Sequence, residues 1–301
     1  MTGTVLILGP SGKIGTHAAR AFDRAGWTVR TYKRGTDMNG AAMGVDVIVN
    51  GLNPPHYHNW AKLIPEITAQ VIAAAKASGA TVVLPANVYN FGPVGGEWSE
   101  STPQRPSTRK GKIRVAMEDA YKASGVRTIA LRAGNFIDPD RNGDIMSLFV
   151  MRSIAKSRLT AGGDPDVMQT YCYLPDWADA AVGLAEKRSE LAMFEDVPFP
   201  GHAFTTIQLR DVVQDALGRP VRIVQFPWVV MTLLSPFWEL ARELSEMKYL
   251  YRLSHTLSGA KLARLLPDFR PTDIRTVMLA GLPAQVHPDK AMRASQQSVR
   301  A

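Results

Sequence analysis

Short apolar runs alternate with longer amphipathic stretches over the first half of the chain. "TVLILG" (4–9), "WTVRTYKR" (27–34), "VDVIVNG" (45–51), "TVVLPA" (81–86) and "RTIALR" (127–132) read as strands. Helical patterns fill the intervals at 12–26, 60–79 and roughly 107–123, the last opened by Pro106 and Ser107. Strands alternating with helices predict an α/β fold, a Rossmann-like doubly wound parallel sheet with helices on both faces. Only residues 35–44 separate the second and third strands. A parallel crossover needs a dozen or more residues, so one edge strand is expected to be missing.

The pattern loosens after Arg132. Residues 133–144 read as a loop, with Asp138, Asp140 and Asp144 as solvated acids. The remainder is expected to be a smaller, mostly helical C-terminal cap, with short strands near 171–174, 202–205 and 221–225. It would close over the carboxyl edge of the sheet, where open α/β sheets bind ligands. The expected division is a dinucleotide-binding domain over 1–136, with later contributions from about 171–205, and a substrate or cap region over 137–301. The most apolar later stretch, "FPWVVMTLLSPFWEL" (226–240), is interrupted by Pro227 and Pro236. It is too short to span a bilayer and is expected to form a buried helix.

The 301 residues suffice for one large domain or two small ones. Hydrophobic residues make up 46% and charged residues 21%, ordinary for a globular protein. The net charge of +8 is spread along the chain without a polybasic tail, which fits phosphorylated small molecules as well as nucleic acid and favours no nucleic-acid partner. The N-terminus lacks the basic segment of a signal peptide. Cys172 is the only cysteine, so no internal disulfide forms, which suits a cytoplasmic protein.

Chemistry enters at "GPSGKIG" (9–15), which follows a strand and opens a helix. Its glycines let backbone approach a pyrophosphate seated on the helix N-terminus. Gly9, Ser11, Gly12, Lys13, Ile14 and Gly15 are therefore expected to hold a dinucleotide. The end of the second strand selects which one. An NAD site places an acid there; this chain has Tyr32, Lys33 and Arg34 instead. Lys33 and Arg34 match a 2′-phosphate, so the expected cofactor is NADP rather than NAD.

The glycine spacing, the element order and three further segments resemble the extended or atypical short-chain dehydrogenase/reductases, the branch that holds the NAD-dependent epimerase/dehydratases. "PANVYNFGP" (85–93) looks like that branch's S-S-x-x-V-Y-G segment. "LRAGNFIDP" (131–139) is similar to L-R-x-x-N-x-x-G-P. "YCYLPDWADAAVGLAE" (171–186) resembles its late strand, turn and helix, with Asp176 at the acidic position. The resemblance covers about the first 190 residues. The departures fall on the catalytic groups. Counting back from Glu118, the family's Tyr falls on Lys110, its Lys on Arg114 and its Ser or Thr on Pro85; the Gly after the Tyr is kept as Gly111.

The resemblance implies that Arg114 holds the nicotinamide ribose, that Asn53 and Asn87 line the dinucleotide, and that Asn135 and Phe136 contact nicotinamide or substrate. Lys110 has three readings: a proton donor with a pKa lowered by neighbouring cations, a ligand for a substrate anion, or a solvated lysine. Tyr89 is either a packed tyrosine or the replacement acid. His56 and His58 lack a third ligand at metal spacing, so no metal is expected. The function implied is an NADP-dependent oxidoreductase or epimerase/dehydratase-like enzyme acting on a small carbonyl or sugar-derived substrate. The alternative is a non-catalytic NADP-binding regulatory protein. No membrane partner is expected, and a homodimer is compatible with the sequence.

Overall fold

The structure, a computed structural model, describes residues 2–140, 143–283 and 286. The expected alternation is present: β1 (Thr4–Leu8), α1 (Lys13–Arg24), β2 (Thr28–Thr31), α2 (Met38–Ala42), β3 (Val47–Asn50), α3 (Trp60–Ser78), β4 (Thr81–Ala86), a short β5 (Gly96–Trp98), α4 (Arg109–Ser124) and β6 (Thr128–Arg132). Next come β7 (Asn135–Ile137), β8 (Arg158–Ala161), β9 (Gln169–Tyr173), α5 (Leu174–Glu186) and β10 (Phe194–Pro198). The chain continues through β11 (His202–Phe204), α6 (Thr206–Leu217), β12 (Arg222–Gln225), α7 (Trp228–Leu234), α8 (Glu239–Glu246), β13 (His255–Leu257), α9 (Ala260–Leu265) and α10 (Ile274–Ala280).

Six strands form one parallel sheet in the order β10-β6-β4-β3-β1-β2. β2 is an edge strand, paired only with β1, and the interval after it holds the one-turn helix α2, capped by Asp37, instead of a strand. The missing edge strand is thus confirmed. β2 also stops at Thr31, leaving Lys33 and Arg34 in an exposed turn.

Both sheet faces are covered, which explains why the strands read as continuous apolar runs. Val5 and Ile7 pack against α1 and α5, and Leu6 and Leu8 pack against α3 and α4. Each of these four side chains is at most 1% exposed, and full burial of one contributes about 1.5–3 kcal/mol.

Three expectations need correction. The sixth strand, β10, comes from "FEDVP" (194–198), which the hydrophobic pattern did not reveal. The stretch after Arg132 is not simply a solvated loop: β7 lies in it, and Asp138 and Asp144 are buried. The short strands expected near 171–174, 202–205 and 221–225 are present as β9, β11 and β12, within three small sheets, β11-β9-β7, β12-β8 and β13-β5. A third correction concerns 226–240. Only Trp228 and Met231 of α7 are buried, and Val229, Val230, Leu233 and Leu234 face solvent. The part of the cap region expected over 287–301 lies outside the described residues.

Candidate active site

β1 is followed by Gly9, whose φ of +71° lies in the left-handed region that only glycine enters without strain. The Gly12 amide donates to the Gly9 carbonyl at 2.9 Å, closing the turn. A Cβ at Gly15 would collide with that same carbonyl oxygen, so α1 can pack this close only as glycine. α1 opens at Gly12 with no side-chain cap and no acid in its first turn. Its N-terminal amides therefore present partial positive charge to the crevice. Across the carboxyl edge of the sheet, the loops after β3 and β4 bring Asn53, Tyr57, Asn87 and Tyr89 together with α4.

α4 starts with cations although a helix N-terminus prefers anions. Thr108 caps it, accepting from the Gly111 amide at 3.1 Å. The missing anions arrive from the cap, 136 residues away in sequence. Glu246 on α8 accepts the Lys110 backbone amide at 2.9 Å and the Lys110 ammonium at 2.7 Å. Glu243 is paired with Lys110 and with Arg109. Lys110 is fully buried there, 5.0 Å above the Tyr57 ring. The environment expected for it, set by neighbouring cations alone, is therefore corrected: two carboxylates meet its ammonium, and it is not solvated. Burial would push the Glu243 carboxyl up, but Lys110 and Arg109 outweigh that and hold it below the usual range.

Arg114, one turn on, turns the other way. Its guanidinium donates to Asn53 Oδ1 at 2.8 Å and stacks 4.5 Å over Trp60, while its Nε is buried without a hydrogen-bond partner among the described residues. The Asn53 amide donates to the Pro54 carbonyl at 3.2 Å.

The Tyr89 hydroxyl lies 3.2 Å from the Tyr57 hydroxyl. Tyr89 is positioned by Asn87, whose Oδ1 accepts the Tyr89 amide at 3.0 Å. Asn87 is fixed in turn by Arg132, which donates to its carbonyl at 2.6 Å. Tyr57 sits in a strained loop: His56, Tyr57 and Asn59 all have φ between +46° and +62°. Such strain concentrates where surrounding structure fixes a functional side chain. The nearby Tyr89 phenol, then burial, push the Tyr57 phenol well above its usual pKa and keep it protonated. Tyr249 of the cap joins them, its hydroxyl buried and without a hydrogen-bond partner among the described residues. Tyr57 and Tyr249 carry no sequence signal: "NPPHYHNW" (53–60) points to its asparagine, proline and histidines and not to its tyrosine.

The remaining candidates divide. Lys33 and Arg34 make no ion pair among the described residues. Asn135 is half-buried on β7, and Phe136 packs partly against the main core. His58 pairs with Glu239 at 3.0 Å. Asp176 accepts the Thr272 amide and hydroxyl, tying α5 to the approach to α10.

One unforeseen cluster adjoins the glycine loop. His17 on α1 meets Asp138 at 3.0 Å, and Arg20 is paired with Asp140. The donor atoms of His17, Asp138 and Asp140 lie within 4.8 Å of one another. Arg20 already neutralises Asp140, so the group acts as a clasp between α1 and the loop after β7. Burial would raise the Asp138 pKa, but the His17 hydrogen bond and the Asp140 amide outweigh it and hold it below the usual range. A depressed carboxylate contributes stability above its unfolded pKa and loses it as pH falls through the folded one, so this contribution should fade below about pH 4. Thermal melts of Asp138→Asn are expected to show a shallower fall in stability with acid than the parent. Parallel curves would contradict the clasp.

No family model matches the sequence, and no curated protein matches it. Solved structures do match. MoeE5 in complex with UDP-glucose and NAD superimposes with a TM-score of 0.72 at 15% identity, covering 97% of this chain and 99% of that one. A putative epimerase from Burkholderia cenocepacia J2315 gives 0.72 at 17% identity, covering 97% and 98%. RMD from Pseudomonas aeruginosa complexed with NADPH gives 0.68 at 17% identity, covering 96% and 99%. The chain has the fold of these proteins. No helix among the described residues is long and apolar enough to cross a membrane.

Proposed function

We propose that the chain is an NADP-dependent oxidoreductase or epimerase/dehydratase-like enzyme of the atypical short-chain dehydrogenase/reductase type, acting on a small carbonyl or sugar-derived substrate. The observation that carries this reading is the pairing of the Tyr89 and Tyr57 hydroxyls at 3.2 Å, on the segments that follow β4 and β3, at the same carboxyl edge of the sheet as the glycine turn after β1. Among proteins of this fold, MoeE5 is seen with UDP-glucose and NAD, and RMD with NADPH.

The glycine turn fits a dinucleotide, since a Cβ at Gly15 would fill the cradle and α1 opens with no side-chain cap and no acid in its first turn. Gly9, Ser11, Gly12, Lys13, Ile14 and Gly15 would hold its pyrophosphate. Lys33 and Arg34 would take the 2′-phosphate, with Asn53, Asn87 and Arg114 along the ribose and nicotinamide. Bound NADP supplies hydride exchange at a carbonyl or carbinol carbon. The chain's own part is to place the Tyr89 O–H against the substrate oxygen and to keep Tyr57 protonated beside it as the next donor. Asn135 and Phe136 would border the substrate. Lys110, neutralised by Glu243 and Glu246, positions α4 and Tyr57 instead of donating a proton.

The second reading, a non-catalytic NADP-binding regulator, is favoured by Pro85 and Lys110 at the family's hydroxyl positions. Calorimetric titration tests what the two readings share. NADPH should bind roughly 10- to 100-fold more tightly than NADH, because a charged hydrogen bond to the 2′-phosphate separates them. Arg34→Ala should erase most of that difference. Equal affinities in the parent protein would overturn the cofactor assignment.

A further inference from the structure

Four cations come from α4 and β6 near the paired phenols, and three of them are answered by acids. Lys110 and Arg109 are met by Glu243 and Glu246. Arg132 is held by Glu118 and Asp196. Arg114 makes no ion pair among the described residues. Its Nη2 donates to the neutral Asn53 Oδ1 at 2.8 Å, its Nη1 meets the Met117 sulfur at 3.6 Å, and its Nε is buried without a partner. Glu118 stands four residues on, on the same side of α4, but both its oxygens are taken. Arg132 donates to Oε1 and Oε2, and Gln104 donates to Oε2. A cation drawn out of water without a counterion costs free energy that an arriving anion offsets. Burial accordingly outweighs the pull of Tyr89 and Glu118 and lowers the Arg114 pKa.

Contacts join Arg114 to the phenols. Its guanidinium stacks 4.5 Å over the Trp60 ring, the Tyr57 ring meets Trp60 edge-on at 5.1 Å, and the Tyr57 hydroxyl lies 3.2 Å from that of Tyr89. Arg114, Tyr57 and Tyr89 are each half-buried, and the hydrogen bond to the exposed Asn53 is open to solvent, so a ligand can reach the guanidinium. Nη1 and Nη2 each keep a second N–H. Neutral ribose hydroxyls beside Arg114 would leave its charge unanswered, and an oxidised nicotinamide, itself cationic, would add to it.

We propose that Arg114 binds a carboxylate of the substrate, which makes the substrate a small oxo acid whose carbonyl oxygen meets the Tyr89 hydroxyl. The inference rests on the oxidoreductase reading above and narrows its substrate class. A guanidinium suits a planar carboxylate, and one unanswered charge suits a monoanion better than a diphosphate. The substrate-anion role open to Lys110 in the sequence falls to Arg114, because Glu243 and Glu246 already occupy the Lys110 ammonium.

Unreactive carboxylates and their neutral amides, titrated calorimetrically into the full-length protein carrying NADPH, test it without turnover. Oxamate against oxamide probes a 2-oxo acid, and malonamate against malonamide a 3-oxo acid. At least one carboxylate should bind roughly 10- to 100-fold more tightly than its amide, because charged hydrogen bonds separate the two. Arg114→Gln should erase that preference and weaken NADPH by a smaller factor. Arg114→Lys, which keeps the charge and loses the fork, should restore part of it. Equal binding of carboxylate and amide in both pairs overturns the proposal. So does a preference that survives Arg114→Gln, or a loss of NADPH affinity in that variant as large as the loss of carboxylate affinity, which would make Arg114 a cofactor ligand. If the parent protein fails to bind NADPH, the cofactor reading itself falls and takes this inference with it; if it binds NADPH and ignores the carboxylates, only this inference falls.

Discussion

Replacing Arg132 with Met is expected to destabilise the fold by about 3–5 kcal/mol, because it strands two carboxylates in the interior. Arg132 is fully buried at the end of β6. Its guanidinium donates to Glu118 on α4 at 3.0 and 2.8 Å and to Asp196 on β10 at 3.1 and 2.7 Å, besides the Asn87 carbonyl. One side chain thus ties the edge strand β10, the helix α4 and the segment that carries Tyr89. Burial alone would lower the Arg132 pKa; its two carboxylates reverse that and raise it. Burial would likewise push the Glu118 carboxyl up, but Arg132 holds it below its usual range. Glu118 therefore adds stability above its unfolded pKa and gives it up as pH falls through the lower folded value. Denaturant titration at neutral pH measures the loss. A change under about 1 kcal/mol would show that the triad does not hold the three elements together.

The same triad shows what could be read from sequence and what could not. "RTIALR" (127–132) and "PANVYNFGP" (85–93) were legible as strand ends facing the crevice, because apolar periodicity and glycine turns are local signals. That Arg132 would be buried between them was not legible, since its partner Asp196 lies on a strand whose pattern, "FEDVP", alternates weakly and ends in proline. Lys110 failed for the same reason. Its register on α4 and its one-turn spacing from Arg114 were readable, but the carboxylates that meet it come from α8, more than a hundred positions on. Tyr57 was hidden differently: the left-handed backbone that aims it at Tyr89 belongs to residues that rarely adopt it. The apolar run 226–240 predicts burial that the structure does not show, because composition reports how apolar a segment is, not whether another part of the chain covers it.

Removing the Tyr89 hydroxyl is expected to have the largest effect on turnover. A positioned proton donor contributes about 100- to 10,000-fold, so Tyr89→Phe should lower kcat by that order while leaving NADPH affinity unchanged. The segment should keep its shape, because Asn87 holds the Tyr89 amide and Arg132 holds the Asn87 carbonyl, and neither contact uses the hydroxyl. Tyr57→Phe should cost less. It removes only the partner 3.2 Å from the reacting phenol and leaves the Tyr89 O–H in place. Reduction and epimerisation assays over a panel of sugar nucleotides and small carbonyl compounds supply the rate. Equal kcat for Tyr89→Phe and the parent would remove Tyr89 from the chemistry. If the parent binds NADPH but turns over no member of the panel, the enzyme reading gives way to the regulator reading, whose sequence basis is the loss of hydroxyls at Pro85 and Lys110. If Tyr57→Phe costs as much as Tyr89→Phe, the two phenols act as one relay, and the strained loop that carries Tyr57 is part of the reaction machinery.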